Sequence, residues 1–340
     1  MRKENSCKGR GWRFRLATAG AAAGLVSATL TAGAAGPTAT AASASTKYTF
    51  VLIPGLTVDP FYITMHNGAA VEAAKLGVTL KWAGATQFLD TLQTPVVNSI
   101  LASKPSALLI APTDEVALFK PIDSYVKEGI PVIAVDTTLK NTSILTAAIS
   151  SDNYQGGEAA AETIAKLAHD KGAVAVINTI KGVSTTDLRQ AGFLAQMKKY
   201  PNMQVVAADY DQDSLTTAEA DARSLILAHP NLVGIFGTNL YSAQGAGQGV
   251  IAAGDKGKVF VSGYDAEPAE ITLLRKGVIN ILVIQNPAEE GSLAVQYAYD
   301  AVTGKKSAIV KSTLLANVVA TQANMNDPGI SKYFYETKLS

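Results

Sequence analysis

The sequence predicts an α/β fold made of two similar lobes with a ligand cleft between them. From residue 47 onward, short apolar runs typical of buried strands alternate with longer amphipathic segments. Such alternation is typical of parallel sheets that carry helices on both faces. Two strand–loop units of the first half recur in the second half, and polar side chains follow several strands where they end. These observations together indicate two lobes whose strand ends face one cleft.

The first half of the chain predicts five strands and three helices. The opening apolar run forms the first strand, and Gly55 and Pro60 end it before a helical pattern begins. Gly129 ends the third helix in the same way. The predicted strands lie at 48–53, 79–82, 107–111, 131–135 and 144–149, and the predicted helices at 63–76, 92–103 and 117–128.

The second half repeats the alternation, with strands at 173–178, 204–208, 232–236, 259–262 and 278–284 and helices at 156–168, 187–199, 217–228, 243–253 and 269–276. Residues 107–114 are echoed by 232–239, and residues 131–136 by 259–265. In each of these units an apolar strand ends in a carboxylate or an amide. Two similar lobes explain the repeat most simply, and chance similarity of strand–loop units is the alternative.

The first 44 residues have the order of a secretory signal: a basic start, an apolar stretch and then small residues. Six Lys or Arg residues precede the Ala-rich stretch at 16–30, and A-x-A sites follow at 32–34 and 42–44. We therefore expect an exported protein, in a periplasm or on the outer side of a cell membrane. Cys7 lies inside this signal, so the mature chain would need neither a disulfide nor a thiolate nucleophile.

Charge and composition exclude several classes of partner. Without the signal, 23 basic and 27 acidic residues remain, a formal net charge of −4. A mildly acidic chain has no electrostatic reason to bind nucleic acid or anionic lipid. After the signal, no apolar run is long enough to form a membrane span.

Recognisable catalytic and metal motifs are missing, so we expect a non-enzymatic protein without a metal or cofactor. The three histidines are scattered, and no G-x-S-x-G elbow is present. The glycines at 245, 247 and 249 resemble part of a dinucleotide fingerprint but lack its third glycine at the required spacing. Because Asp265 lies about 20 residues beyond them, a nicotinamide enzyme stays open as an alternative.

Acids, amides and aromatic residues follow the predicted strands and form the candidate site. Carboxylates and amides suit vicinal hydroxyl groups, and aromatic faces suit the C–H faces of a sugar ring. Taken singly, each acid or amide could instead be a helix N-cap or a turn former. Their recurrence in both lobes favours a binding site. The residues are Asp59, Phe61, Tyr62, Asp136, Tyr210, Asn239, Asp265 and Gln285.

Seven motifs resemble those of the periplasmic sugar-binding proteins of the ribose-binding, type I class, which feed ABC importers. They are DPFY at 59–62, LIAPTD at 109–114, VIAVD at 132–136, SDNYQGG at 151–157, RQAGF at 189–193, GYD at 263–265 and IQ at 284–285. The resemblance spans residues 47–319. It implies two Rossmann-like lobes joined by a three-segment hinge that crosses near 151–152, 285–286 and 315–318.

The same resemblance implies a domain division and a function. The first lobe comprises 45–151 plus 286–315, and the second comprises 152–285 plus 316–340. A monomer would capture a sugar between its lobes and deliver it to the membrane subunits of an ABC permease. The alternative is a receptor component of the same fold that presents a sugar-like signal to a sensor kinase or a chemoreceptor.

Departures from the family pattern bear on the ligand. The chain has Ala111 where ribose binders usually have Asn, and Thr137 follows Asp136 where an Arg is common. Asp187 stands where a second-lobe Arg is expected, with Arg189 two residues later. We include Thr137, Asp187 and Arg189 among the contacts that the resemblance implies. The cleft is expected to lose cationic donors, which favours a neutral pentose, hexose or sugar alcohol over ribose in its usual pose, with a cationic amino sugar as the alternative.

Overall fold

The computed structural model of the chain describes residues 48–340. The predicted export signal at 1–44 lies outside these residues. In the part of the chain that the structure describes, no helix is long and apolar enough to cross a membrane.

The first lobe is built on a six-stranded sheet in which every pair of neighbouring strands is parallel. Its order is β11-β5-β4-β3-β1-β2. The strands are β1 (Thr49–Ile53), β2 (Thr79–Trp82), β3 (Ala107–Ile110), β4 (Val132–Val135), β5 (Ala147–Ser151) and β11 (Ser312–Leu315). The helices of this lobe are α1 (Pro60–Leu76), α2 (Asp90–Leu101), α3 (Phe119–Lys127) and α9 (Pro287–Val302).

The second lobe repeats this plan with the order β12-β10-β9-β8-β6-β7, in which only β12 runs antiparallel to its neighbour. Its strands are β6 (Gly172–Asn178), β7 (Met203–Tyr210), β8 (Leu232–Gly237), β9 (Phe260–Tyr264), β10 (Ile281–Ile284) and β12 (Val318–Thr321). Its helices are α4 (Asn153–Leu167), α5 (Ser184–Met197), α6 (Leu215–Ala228), α7 (Leu240–Ala253) and α8 (Pro268–Arg275), and a short helix, α10 (Pro328–Ser331), follows β12.

The two sheets confirm the two-lobed α/β fold that the sequence predicts. The repeated strands occupy equivalent places, since β3 and β4 of the first sheet match β8 and β9 of the second. The chain passes between the sheets three times, after β5, after β10 and after β11. Asn317 links the crossings after β5 and β11, because its Nδ2 donates to the Asp152 carbonyl at 2.8 Å, and its Oδ1 accepts from the hydroxyl of Tyr264 at the end of β9 at 3.2 Å. The predicted domain boundaries themselves stay a prediction.

Helix α1 shows how local sequence places the first wall of the cleft. Asp59 is its N-cap and Pro60 its first residue, a position that tolerates proline because its amide would have no helical partner. Gly77, with φ of 65°, ends the helix in the left-handed conformation that glycine adopts without strain. The helix therefore begins three residues before the predicted start at residue 63, directly after Asp59.

Small residues allow the helices of the second lobe to pack closely. A Cβ atom on Gly157 of α4 would overlap the carbonyl oxygen of Arg189 on α5. Added Cβ atoms at Gly245 and Gly249 would crowd α6, and both glycines lie inside α7 rather than in a turn before a helix. The glycines of the possible dinucleotide fingerprint therefore serve helix packing, and this placement gives no support to a pyrophosphate site there.

Candidate functional site

A cavity with about 430 Å³ of empty space lies between the two lobes, at the carboxyl ends of the strands of both sheets. The cavity is lined by Leu56, Asp59, Phe61, Tyr62, Phe88, Asp136, Thr137, Thr179, Val183, Thr185, Thr186, Arg189, Asp213, Asn239, Leu240, Asp265 and Gln285.

The lobes touch each other at the mouth of this cavity. The amide of Glu115 in the first lobe donates to the carbonyl of Gly182 in the second at 3.3 Å. The amide of Thr138 donates to the hydroxyl oxygen of Ser184 at 2.9 Å. Since these bonds join residues of different lobes, the structure shows the cleft closed.

The first wall combines an acid with two aromatic rings. The Asp59 carboxylate caps α1 by accepting from the Phe61 amide at 2.7 Å. The rings of Phe61 and Tyr62 meet edge to face at 5.0 Å between centroids. The Tyr62 hydroxyl donates to Oδ2 of Asp136 at 2.7 Å, so this ring also orients an acid of the neighbouring strand end.

The opposite wall is a pair of acid–amide contacts. Nε2 of Gln285 donates to Oδ1 of Asp265 at 2.6 Å. Nδ2 of Asn239 donates to Oδ1 of Asp213 at 2.7 Å, while its Oδ1 caps α7 by accepting from the Ser242 amide. In both pairs the amide hydrogen fixes one carboxylate oxygen and leaves the second oxygen outside the contact.

Arg189 is the one cation that lines the cavity among the described residues. Its Nε donates to Oδ1 of Asn153 at 2.8 Å and its Nη1 donates to the Thr238 carbonyl at 2.9 Å. Nη1 also lies 4.0 Å from Oδ2 of Asp265, and the guanidinium carbon lies 3.7 Å above the Tyr264 ring. The expectation that the cleft loses its second-lobe cation is therefore corrected, because Arg189 itself reaches the cavity.

Three acids of the cavity, one of them Asp213 with φ of 57°, have a backbone conformation that non-glycine residues rarely adopt. Asp136 has φ of 64° and Asp265 has φ of 85°. They follow the equivalent strands β4 and β9, and the amide of each donates to the next strand of its sheet, at the carbonyls of Ile149 and Val283. Strain of this kind persists where the surroundings enforce it and is concentrated at functional sites.

Burial raises the pKa of several cavity acids. Desolvation raises the pKa of Asp136 to about 6, against the lowering effects of Arg189 and of the Tyr62 hydrogen bond. Desolvation raises the pKa of Asp213 to about 7. The pKa of Asp59 lies well above its usual value, first through burial and then through repulsion from Asp265. Asp136 and Asp213 therefore change charge near pH 6 and pH 7, and the pKa of Asp59 is raised in the same direction, above the ordinary range for aspartate.

Two buried polar atoms of the lining have no hydrogen-bond partner among the described residues: the hydroxyl oxygen of Thr137 and Oε1 of Gln285. Both side chains are almost completely buried. An unpaired buried polar group costs about 1–3 kcal/mol, so such atoms are usually satisfied by water or a ligand.

Comparisons with known proteins agree with the two-lobed fold. The sequence profile of the family described as periplasmic binding protein domain matches residues 50–306. The chain therefore belongs to the periplasmic binding protein family. It is 31% identical over 254 residues to the ribose import binding protein of Bacillus subtilis, which covers 73% of this chain and 79% of that protein.

Solved structures of the same kind superpose closely. An ABC transporter solute-binding protein from Agrobacterium vitis, bound with α-D-tagatopyranose, has a TM-score of 0.83 and 37% identity and covers 85% of this chain and 100% of its own. A carbohydrate transporter solute-binding protein from Agrobacterium radiobacter, in complex with D-arabinose, has a TM-score of 0.80 and 31% identity and covers 84% and 98%.

In this periplasmic binding protein, nine of the eleven predicted site residues line the cavity. They are Asp59, Phe61, Tyr62, Asp136, Thr137, Arg189, Asn239, Asp265 and Gln285. Whether they bind a ligand stays a prediction, but the structure does bring them together from both lobes.

The other two predicted residues, Asp187 and Tyr210, are not among the residues that line the cavity. The Asp187 carboxylate accepts from the Gly182 amide at 2.9 Å and from Asn178 at 3.3 Å, so it closes the loop before α5. Tyr210 ends β7, which is the edge strand of its sheet and the strand farthest from β12.

Several lining residues were not predicted from the sequence. Asp213 lies three residues beyond Tyr210, in the loop after the same strand, so the strand-end pattern indicated the correct loop but the wrong side chain. Phe88 lies in the loop after β2, and no site residue was predicted in that loop. The remaining ones are Leu56, Thr179, Val183, Thr185, Thr186 and Leu240.

Proposed function

We propose that this periplasmic binding protein is an exported solute-binding protein that captures a neutral monosaccharide or sugar alcohol between its lobes. The observation that carries the proposal is a closed cavity rich in hydrogen-bond acceptors, with the buried Thr137 hydroxyl and Gln285 Oε1 unpaired among the described residues. Gln285 Oε1 can only accept, so the ligand must present a donor to it. A sugar hydroxyl supplies that donor.

The composition of the two walls supports a sugar ring in particular. Carboxylates and amides on both sides can accept from neighbouring hydroxyl groups, and Arg189 can donate to a ring or hydroxyl oxygen. Phe61, Tyr62 and Phe88 provide apolar faces for the C–H side of the ring. The structural neighbours at 37% and 31% identity hold D-tagatose and D-arabinose, which are neutral monosaccharides.

Ligand binding would shift the protein toward the closed state. Residues of the first lobe, such as Asp136, and of the second lobe, such as Asp265, can contact one small ligand together only when the lobes meet. A ligand with such contacts stabilises the closed population by its differential affinity for the two states. The protein would act as a monomer. Its closed form would present surfaces of both lobes to the membrane subunits of an ABC permease, on the outer side of the membrane.

Charge decides between the neutral sugar and the amino sugar. Four acids and one guanidinium line the cavity, which alone would favour a cation. However, burial raises the pKa of Asp59, Asp136 and Asp213, so protonation relieves part of that charge before any ligand enters. A neutral ligand with many hydroxyl groups needs no net negative charge in the cavity and still pairs with a protonated carboxyl group, although more weakly than with a carboxylate. We therefore favour it.

A thermal-shift screen tests the proposal. Mature protein would be heated with a panel of pentoses, hexoses, sugar alcohols and amino sugars, and hits would be measured by calorimetry. At 100 times its dissociation constant a true ligand adds about 2.7 kcal/mol to the unfolding free energy. We expect neutral sugars to give the shift, and Asp265→Ala to abolish it. A shift with amino sugars alone would show that the ligand is a cationic amino sugar and not a neutral one. No shift with any of the sugars would refute sugar binding.

Two further measurements address the finer parts of the proposal. Ligand recovered from the complex by denaturation should be chemically unchanged, since we expect binding without turnover. Cells that lack the gene should lose uptake of the radiolabelled ligand, whereas unchanged uptake would contradict delivery to a permease.

A further inference from the structure

The C-terminal segment of residues 333–340, here called the C-terminal strap, lies beyond β12 and beyond the residues 50–306 that match the family profile. The chain stays on the second lobe after β12, where Gln322 donates to the Arg275 carbonyl at 2.8 Å. Helix α10 follows, capped by Asp327. Ile330, Tyr333 and Phe334 pack against the hydrophobic core, so this part of the chain is held on the molecule.

Tyr335 fastens the strap to the second wall of the cavity. Its hydroxyl donates to Oδ1 of Asp265 at 3.0 Å, and its amide donates to the carbonyl of Ala266 at 3.1 Å. The side chain is 5% exposed. Burial and the charge of Asp265 raise the pKa of Tyr335 well above its usual value, so the phenol remains a donor.

Oδ1 of Asp265 consequently receives two hydrogen bonds, from Tyr335 and from Gln285 at 2.6 Å. Oδ2 is the oxygen that lies 4.0 Å from Nη1 of Arg189. Two donors on one oxygen fix the rotation of the carboxylate and turn Oδ2 into the acceptor that remains for a ligand. Tyr335 therefore acts on the cavity through Asp265 without itself lining it.

The rest of the strap is bound to helix α1 of the first lobe. The Tyr335 ring meets the Phe61 ring at 5.7 Å between centroids, with 70° between their planes. The Glu336 amide donates to the Thr64 hydroxyl oxygen at 2.7 Å, and Asn67 bonds to the Glu336 carboxylate. Asn67 also donates to the carbonyl of residue 338 and accepts from the amide of residue 340, both at 2.8 Å.

The strap thus joins the two lobes at the cleft, in addition to the three chain crossings. An opening motion that moves α1 away from the end of β9 would require the strap to release either Asp265 and Ala266 or the polar groups of α1. In such a motion the strap would hold both sets of bonds only while the lobes are closed.

We propose that Tyr335 is a positioning residue of the binding site and that the C-terminal strap latches the closed cleft, so that it sets how fast a bound sugar leaves. The positioning role of Tyr335 rests on the proposed function, because it concerns sugar binding, whereas the latch does not depend on the identity of the ligand. The two parts can therefore be tested separately.

The sharpest variant is Tyr335→Phe, which keeps the ring against Phe61 and removes only the hydroxyl. The matched control is Tyr333→Phe, the same change two residues earlier, where no hydrogen bond of the hydroxyl to the described residues is found. D-tagatose and D-arabinose serve as probes. A hydrogen bond to a carboxylate is worth about tenfold or more in binding, so we expect dissociation of the sugar to accelerate about tenfold in Tyr335→Phe and not in Tyr333→Phe.

A measurement without ligand keeps the latch testable whether or not either probe binds. The chain has no cysteine after Cys7, so Lys140→Cys and Lys181→Cys at the mouth of the cleft accept spin labels specifically. We expect the distance distribution between the labels to shift to longer values in Tyr335→Phe, in Asn67→Ala and in a chain that ends at residue 332.

The outcomes separate the two proposals. An unchanged label distance in all three variants refutes the latch, and an unchanged dissociation rate in Tyr335→Phe refutes the positioning role. If wild-type protein binds neither these probes nor any other sugar, the proposed function and the positioning role both fail, and the label distance alone decides the latch. A melting temperature of Tyr335→Phe close to that of Tyr333→Phe would show that a faster dissociation is not a general loss of structure.

Discussion

Replacement of Arg189 by methionine removes the one guanidinium that lines the cavity in the described part of the chain, and keeps a side chain of similar length. Four interactions are lost together: the bonds to Asn153 and to the Thr238 carbonyl, the attraction to Asp265 at 4.0 Å, and the contact of the guanidinium with the Tyr264 ring. Removing one partner of a buried charged pair lowers the unfolding free energy by about 3–5 kcal/mol, because the remaining charge stays buried. At roughly 2–4 °C per kcal/mol, the melting temperature should fall by about 6–20 °C.

The same substitution has a signed pH dependence. Arg189 is the largest influence that lowers the pKa of Asp136, so without it this pKa should rise above its present value of about 6. A carboxyl group whose pKa is raised in the folded state lowers the unfolding free energy of the protein as the pH rises from the unfolded-state pKa of about 4 to the folded-state pKa. Arg189→Met extends this loss to higher pH. The deficit relative to wild type should therefore be larger at pH 7 than at pH 5.

Chemical denaturation at pH 5 and pH 7 measures both quantities, with Arg223→Met on the exposed surface of α6 as the matched control. Arg189→Lys, which keeps the charge but not the fork of donors, should lie between wild type and Arg189→Met. An unfolding free energy for Arg189→Met equal to wild type at both pH values would refute the reasoning, and so would a deficit that does not change with pH.

Three further predictions concern the acids and the packing around this residue. Asp265→Gly and Asp265→Ala should both lose sugar binding. The unfolding free energy of the glycine variant should be higher by about 1 kcal/mol, because φ is 85° at this position. Equal unfolding free energies of the two variants would contradict backbone strain at residue 265. Sugar affinity, measured by calorimetry from pH 8 to pH 5, should fall as Asp213 and Asp136 take up protons near pH 7 and pH 6, because a neutral carboxyl group accepts more weakly than a carboxylate. A flat profile would exclude these acids as charged acceptors. Gly157→Ala should lower the unfolding free energy by about 1–3 kcal/mol and weaken sugar binding, because the added methyl group pushes α5 and Arg189 away; a stable variant that binds normally would show that α5 yields without loss.

The fold was predictable because its signals are local and repeated. Each predicted strand up to β10 is a short apolar run, and the resemblance of 107–114 to 232–239 correctly paired β3 with β8, which occupy equivalent places in their sheets. Helix starts were less accurate, since a cap such as Asp59 belongs to the helix geometry although it precedes the apolar pattern. The strap was not predicted, because its contacts join residue 335 to residue 61 and residue 265, and no periodic pattern reports such distant pairs.

The site was predictable to the extent that it follows from strand ends. Helical spacing explains why Arg189 reaches the cavity and Asp187 does not. Helix α5 begins at Ser184, so Thr185, Thr186 and Arg189 share one face, at spacings of three and four residues. Asp187 is two residues from Arg189 and turns instead toward the loop before the helix. A search by family position alone finds Asp187, whereas the helix geometry selects Arg189.

From the sequence, each acid or amide could be either a helix cap or a ligand contact. In the structure one side chain can cap a helix and also line the cavity. Asp59 caps α1 with Oδ1 alone, and its Oδ2 takes no part in that cap. Asn239 caps α7 with Oδ1 while its Nδ2 holds Asp213. A helix that starts at the carboxyl end of a strand places its N-cap at the edge of the cleft, so the backbone satisfies one side of the side chain and the cavity receives the other. The cap thereby fixes the rotamer of a cavity-lining residue before any ligand arrives, and a ligand that contacts this residue would meet a lower cost in ordering entropy.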